Sequence, residues 1–196
     1  MTRYRPLIYL RCLIGFHGKR EKYDIENSAP YFMKKGFYMK LLYDRLYVGT
    51  EDECVTYKDG WAIIHACKSP CHQRAVGYKK SLPNTHPYYL TYREGNNLYL
   101  NMIDPPGPLF MMPTFTNFLE FAKENWNSGK TLFIHCNKGE SRAPSLALLF
   151  LSKYLGKISN ESYDRAKLEF MRLYPEYMPG QGIQTYLRTH WHEIKI

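Results

Sequence analysis

The chain has 196 residues and lacks any long apolar run, since no stretch approaches the ~18 consecutive apolar residues of a transmembrane helix. Its first residues are basic and only partly apolar, without a small-residue cleavage site, so we expect no secretory signal. Internal repeats and low-complexity blocks are also missing. These absences exclude membrane-spanning, solenoid and low-complexity classes and predict a soluble globular protein.

Cysteine is scarce, and the five cysteines show no even spacing. An odd number argues against a disulfide framework. We therefore expect a cytoplasmic or otherwise intracellular, reducing compartment. The segment from Cys67 to His72, which includes Cys71, loosely matches a metal-binding pattern, but no second pair of ligands with suitable spacing accompanies it. We therefore expect no metal and no cofactor.

Acidic residues are fewer than basic ones, 18 against 27, which gives a formal net charge of +9. The basic excess lies in the first half of the chain, within residues 1–40 and 68–96. Such a surface attracts phosphate-bearing partners by long-range electrostatics. Ordinary solubility explains the same charge equally well.

Apolar runs bounded by turn residues alternate with helical patterns along most of the chain. The runs predict buried strands, and the helical patterns place an apolar face on a sheet. Strands are predicted within 39–48, 61–67, 98–103 and 131–135, and helices over 113–127, 142–155, 159–174 (capped by Ser159) and 181–192. We expect a single α/β domain over residues 39–196, with a central, mostly parallel sheet flanked by helices. Residues 1–38 are expected to be an irregular basic extension, and 68–96 mostly loop.

The most informative segment reads Phe133-Ile-His-Cys-Asn-Lys-Gly-Glu-Ser-Arg-Ala-Pro-Ser145. A predicted strand runs into Cys136, and a predicted helix begins at Arg142. The short loop between them contains Gly139 and would turn backbone N–H groups inward at the helix N-terminus, forming a cradle for phosphate. The same positive end stabilises a thiolate at Cys136, and Arg142 can bind two phosphate oxygens at once. A nucleophile beneath an oxyanion cradle is typical of phosphoryl transfer to sulfur.

The His-Cys-x5-Arg pattern resembles that of the cysteine-dependent protein tyrosine phosphatases, and residues 39–192 are similar to a dual-specificity phosphatase domain. The resemblance implies an α/β fold of that kind, with Cys136 as the nucleophile. It implies that Arg142 is both catalytic and substrate-binding, and that His135 orders the loop and tunes the thiolate. The remaining implied substrate-binding residues are those of the loop: Asn137, Lys138, Gly139, Glu140 and Ser141.

A general acid precedes the nucleophile by about thirty residues in that family. Asp104 lies 32 positions before Cys136, at the end of a predicted strand. The resemblance therefore implies that Asp104 protonates the leaving oxygen and then activates the hydrolytic water. Three prolines stiffen the segment after Asp104, and Gly107 leaves one hinge.

The chain departs from the family pattern at two positions. Ala143 stands where the family usually has Ser or Thr, whose hydroxyl helps the sulfur leave, and Gly180 stands where the family's last turn commonly has Asn. Ser141 would replace the missing hydroxyl in part. Some relatives also carry a second cysteine that forms a protective disulfide with the nucleophile, which would assign that role to Cys67; two independent cysteines are the alternative.

The resemblance implies an enzyme that hydrolyses phosphate monoesters through a phosphocysteine intermediate. Phosphotyrosine, together with phosphoserine or phosphothreonine, in a protein partner is the expected substrate. One alternative is a non-protein substrate, namely a phosphoinositide, a phosphoglycan or the 5′ phosphate of RNA, so that the partner would be a nucleic acid or a phosphoinositide. Another is a domain that binds phosphorylated partners without turnover.

Overall fold

The computed structural model describes residues 39–196, and the expected N-terminal extension lies outside the described residues. A six-stranded sheet forms its centre, and the strands in chain order are β1 (Lys40–Tyr43), β2 (Leu46–Gly49), β3 (Trp61–His65), β4 (Thr91–Glu94), β5 (Asn97–Leu100) and β6 (Thr131–His135). Their spatial order is β1-β2-β6-β3-β5-β4. The four central strands run parallel, and the two edge strands pair antiparallel with their neighbours.

Five α-helices accompany the sheet in the described part of the chain: α1 (Gln73–Val76), α2 (Met112–Asn127), α3 (Arg142–Lys153), α4 (Tyr163–Leu173) and α5 (Gln181–His190). Both α2 and α3 pack on the central strands, and α4 contacts α3. Every residue of α3 from Arg142 to Ser152 is buried, so this helix lies between the sheet and the outer helices. The predicted α/β fold is confirmed.

Parallel pairing determines which residues meet at the edge of the sheet. β3 and β6 align so that Ile64 lies beside Ile134 and His65 lies beside His135. β2 ends on the same edge, because Gly49 also pairs with His135. The segments that follow these three strands therefore meet above the carboxyl edge of the sheet, where ligands bind in open α/β sheets.

The structure differs from the sequence prediction in two segments. Residues 68–96, predicted as mostly loop, contain β4 and a short π-helical turn (Lys68–His72) before α1. This turn is interrupted at Ser69, whose backbone is extended. Burial of Cys71 and His72 accompanies this turn, and tertiary packing of this kind has no local periodic signal. The cap of α4 is Ser162 rather than Ser159, because the Ser162 hydroxyl accepts the backbone N–H of Arg165.

Within residues 39–196, every helix is too short or too polar to serve as a membrane span.

Candidate active site

The loop between β6 and α3 has its backbone carbonyls turned outward. The carbonyl of Asn137 accepts the N–H of Glu51, at 3.4 Å. The carbonyl of Gly139 accepts the Tyr174 hydroxyl, at 3.0 Å, and that of Glu140 accepts the N–H of Met178, at 2.9 Å. Within the described residues, no N–H group of residues 137–141 donates to a backbone carbonyl. These donors remain available to an anion.

The N-terminus of α3 has no side-chain cap. Ser141 occupies the N-cap position, but its hydroxyl accepts the N–H of Gly180 at 2.9 Å instead of bonding to the helix. Gly139 adopts a left-handed φ of +71°, and a Cβ there would press on the carbonyl of Gly49. The local structure thus leaves the first turn of α3 open for an oxyanion.

Cys136 follows the last residue of β6 and is buried at the base of this loop. Arg142, the first residue of α3, donates from Nη1 to the carbonyl of Met102 at 2.9 Å and from Nη2 to Oδ1 of Asn137 at 2.7 Å. Its Nε is buried and has no hydrogen-bond partner among the described residues. Arg142 therefore joins the loop to the segment that carries Asp104, and it keeps one charged donor for a ligand.

Asp104 is exposed and reaches the loop through Gly180. A Cβ on Gly180 would overlap the Asp104 carboxylate, so the acid lies directly against the turn before α5. That turn binds Ser141 through the Gly180 N–H. The structure thereby brings Asp104, Arg142 and the loop after Cys136 together. Lys138 is exposed.

Three residues of the chain between α4 and α5 support the loop. Tyr174 and Met178 donate to its carbonyls, and Gly180 donates to its Ser141 hydroxyl. Burial raises the pKa of Tyr174, so its hydroxyl remains a donor at neutral pH. The departure at Gly180 has a structural reason, because a larger residue would collide with Asp104.

His135 bonds across the sheet: its Nε2 lies 2.7 Å from Nδ1 of His65. Its Nδ1 is buried and has no hydrogen-bond partner within residues 39–196. Burial lowers the pKa of His135, which favours the neutral imidazole. The expected role of His135 in tuning the thiolate stays a prediction.

Cys67 lies in a small buried cluster with Cys71 and Tyr99. Cys54 joins this cluster at its margin, with its Sγ 3.6 Å from Sγ of Cys71. Their contact lowers the pKa of Cys54 and raises that of Cys71. The proposed disulfide between Cys67 and Cys136 stays a prediction.

Sequence reasoning missed the residues around His135. Cys54, His65 and Cys71 meet this histidine inside the protein, although they come from three separate segments. The ends of neighbouring parallel strands are the only signal in the sequence that could have paired His65 with His135.

No family model matches the sequence, and no curated protein matches it. Solved structures do match. The human tyrosine phosphatase-like serine/threonine/tyrosine-interacting protein aligns with 79% of this chain and 96% of its own, at 17% identity and a TM-score of 0.56. A mouse putative dual specificity phosphatase, solved as a zinc tungstate complex, aligns over 85% of this chain and 93% of its own, at 14% identity and a TM-score of 0.56.

The fold is that of a dual-specificity phosphatase domain. Human DUSP28 gives the same result, with 80% of this chain and 94% of its own aligned at 12% identity and a TM-score of 0.53. At these identities the likeness concerns the dual-specificity phosphatase fold, while the chemistry depends on the residues of this chain.

Proposed function

We propose that the chain is a cysteine-dependent phosphatase that hydrolyses phosphate monoesters in proteins through a phosphocysteine intermediate. The observation that carries the proposal is the uncapped start of α3 above Cys136, combined with the unpartnered Nε of Arg142. A helix N-terminus and a free guanidinium donor favour a dianionic group directly above the sulfur.

Two displacements at phosphorus complete the reaction. The Cys136 thiolate attacks phosphorus, the bond to the leaving oxygen breaks, and Asp104 as a carboxylic acid donates its proton to that oxygen. Water then attacks the phosphocysteine, the Asp104 carboxylate accepts a proton from the water, and the bond between sulfur and phosphorus breaks. The products are an alcohol or phenol, inorganic phosphate and the regenerated thiolate.

Arg142 and the loop amides stabilise the charge that develops on the phosphoryl oxygens. The guanidinium is already held by Met102 and Asn137, so it needs no reorientation as the reaction proceeds. The substrate class follows from the resemblance and from the structural neighbours, two of which are described as a dual specificity phosphatase or as phosphatase-like. Phosphotyrosine, phosphoserine and phosphothreonine are the proposed substrates.

The test combines steady-state assays with intermediate trapping. The wild type should hydrolyse p-nitrophenyl phosphate and a phosphotyrosyl peptide. Cys136→Ser should have no turnover yet still bind the peptide, because the cradle remains. Arg142→Lys should lose most activity, since a lysine lacks the planar fork. Acid quenching of Asp104→Asn with labelled substrate should trap phosphate on Cys136.

Cys67→Ser is the matched control, because it removes another buried thiol nearby and should retain turnover. The proposal fails if Cys136→Ser keeps a tenth of the wild-type rate. A folded wild type that binds phosphopeptide without hydrolysing it would establish the binding domain instead.

A further inference from the structure

Four metal-binding side chains meet inside the protein beside the candidate active site. They are Cys54, His65, Cys71 and His135, and their ligand atoms all lie within 4.8 Å of one another. His65, Cys71 and His135 are buried, and Cys54 is partly buried. Nothing in the proposed phosphatase chemistry uses Cys54, His65 or Cys71.

The spacing of these atoms suits one tetrahedral metal ion. Sγ of Cys54 lies 3.6 Å from Sγ of Cys71 and 3.5 Å from Nδ1 of His65. When zinc has bonds of about 2.3 Å to sulfur and about 2.0 Å to nitrogen in tetrahedral geometry, neighbouring ligand atoms lie about 3.3–3.8 Å apart. The two imidazole nitrogens, 2.7 Å apart, need to separate by about 0.6 Å, and the ligand atoms farthest apart, within 4.8 Å, need to approach by up to about 1 Å.

His65 is already oriented as a ligand. Asn97 donates from Nδ2 to the carbonyl of Thr56 at 2.8 Å, so its Oδ1 faces Nε2 of His65 at 3.0 Å. Nε2 therefore carries the proton, and the unprotonated Nδ1 faces both Nε2 of His135 and Sγ of Cys54. A hydrogen bond that fixes the tautomer of a histidine is the usual outer contact of a zinc ligand. The ring also stacks on Tyr99, at 4.3 Å between centroids.

His135 is the second imidazole of the cluster. Its ring is fully buried, its Nε2 lies 2.7 Å from Nδ1 of His65, and the ring also interacts with the Cys54 thiol. A metal bound at Nε2 would replace the direct contact between the two imidazoles. The ring proton would then lie on Nδ1.

We propose that Cys54, His65, Cys71 and His135 bind one zinc ion. Two thiolates and two imidazoles are the donor set of closed structural zinc sites, and all four positions come from the protein. Binding releases the protons of the two thiols to solvent. A disulfide between Cys54 and Cys71 is the competing use of these cysteines.

The zinc ion would connect three segments that surround the loop between β6 and α3. Cys54 follows β2, and His135 immediately precedes Cys136. Cys71 belongs to the π-helical turn, in which the carbonyl of Ser69 accepts a hydrogen bond from the side-chain amide of Asn137. The metal takes no part in phosphoryl transfer under this proposal. Its role is to hold the base of the loop, which makes the proposal independent of the protein's catalytic activity.

The experiment measures metal in the full-length protein purified under reducing conditions. Elemental analysis should find one zinc per chain. After acid removal of zinc, cobalt(II) should restore one equivalent, with the visible absorption of a tetrahedral site and a thiolate-to-cobalt charge-transfer band. Cys54→Ser should lower the zinc affinity by more than about 100-fold, and Asn97→Leu by about 10–100-fold, with Asn97→Asp restoring most of it.

Cys136→Ser and Cys67→Ser are the controls, and both should retain one zinc. Cobalt spectra of the wild type keep the test decisive if a ligand variant fails to fold. The proposal is overturned by a reduced wild type that holds no zinc and takes none up. It is equally overturned by zinc lost on Cys136→Ser, by a different metal at one equivalent, or by a Cys54–Cys71 disulfide in the native protein.

Discussion

The carboxylate of Asp104 occupies the space in which a side chain on residue 180 would begin. Gly180→Ala should therefore displace the acid while its backbone, at φ −57°, tolerates alanine. We expect kcat to fall about 10- to 100-fold on alkyl phosphates, since misplacing a catalytic group by about 1 Å has an effect of that order. Steady-state kinetics on alkyl and p-nitrophenyl esters measures the loss.

A double-mutant cycle with Asp104→Asn provides the control for Gly180→Ala. If the glycine acts through the acid, adding Gly180→Ala to Asp104→Asn should change kcat little. Full additivity of the two losses would show that Gly180 acts through the loop at Ser141 instead.

Asp104→Asn by itself should lower kcat by about 10²–10⁴ on substrates with poor leaving groups. The loss should shrink on aryl phosphates whose leaving group needs no proton. A series of phosphate esters with graded leaving-group acidity measures how kcat depends on the pKa of the leaving group. Equal losses across the series would assign the acid to another residue.

We expect slow hydrolysis of the phosphocysteine, because Ala143 has no hydroxyl to help the sulfur leave. A missing donor of this kind is worth about 10–10³ in rate. Stopped-flow assays should show a burst of aryl alcohol equal to the enzyme concentration. Ala143→Ser should raise kcat, leave kcat/KM nearly unchanged and diminish the burst.

Ser141 is the alternative donor to the sulfur, since its hydroxyl accepts from Gly180 and still has a proton to donate. Under that alternative the wild type shows no burst, Ala143→Ser brings no gain, and Ser141→Ala creates the burst. Ala143→Ser and Ser141→Ala together therefore show whether Ser141 donates a hydrogen bond to the sulfur.

Mild peroxide should join Cys67 to Cys136 in a disulfide that thiols reverse. Mass spectrometry of peptides identifies the linkage, and Cys67→Ser should instead accumulate sulfinic or sulfonic Cys136. Because Cys67 contacts Cys71, a Cys67–Cys71 linkage is the product that would reject this pairing.

Alkaline pH should destabilise the fold through buried tyrosines. Burial raises the pKa of Tyr163 from 10.0 to about 12, so between these values the folded state holds more protons than the unfolded state and stability falls as pH rises. Tyr163→Phe should cost about 1 kcal/mol at neutral pH through its lost bond to Tyr177, and should reduce the alkaline loss by about 2 kcal/mol.

Denaturant unfolding at neutral pH and at several values from pH 10 to 12 measures the Tyr163 effect. Tyr57→Phe is the control, because Tyr57 is 79% exposed and should follow the wild type. If the free energy of unfolding of Tyr163→Phe fell between pH 10 and pH 12 as steeply as that of the wild type, Tyr163 would not be the source of the alkaline loss.

The loop between β6 and α3 could be predicted because the pattern that indicates it lies within one short segment of the sequence. A strand, six residues and a helix start place Cys136 and Arg142 within one short segment. Asp104 is predicted by its distance from Cys136, which the family resemblance gives. The supports of the loop could not be predicted in the same way. Tyr174 and Met178 reach it through a turn whose residues have no pattern related to phosphate binding.

The four-residue cluster shows the same limit more strongly. Cys54, Cys71 and the two histidines are separated by intervals that match no metal-binding pattern. Parallel strand pairing brings the two histidines together, whereas Cys54 and Cys71 come from the segments that follow β2 and β3. The π-helical turn was missed because Pro70 and the loop residues around it indicated irregular structure, whereas burial of Cys71 and His72 accompanies the observed turn.

The hydrogen bonds that the loop carbonyls accept from neighbouring segments should affect the rate at which an anion binds. The carbonyl of Asn137 is bound by the segment after β2, and the carbonyls of Gly139 and Glu140 are bound by the segment between α4 and α5, before any anion is present. Such a loop has little conformational entropy left to lose when phosphate arrives. The receptor is therefore rigid in advance, and association with an oxyanion should proceed in a single step at the rate of productive collision, without a slower phase in which the loop closes.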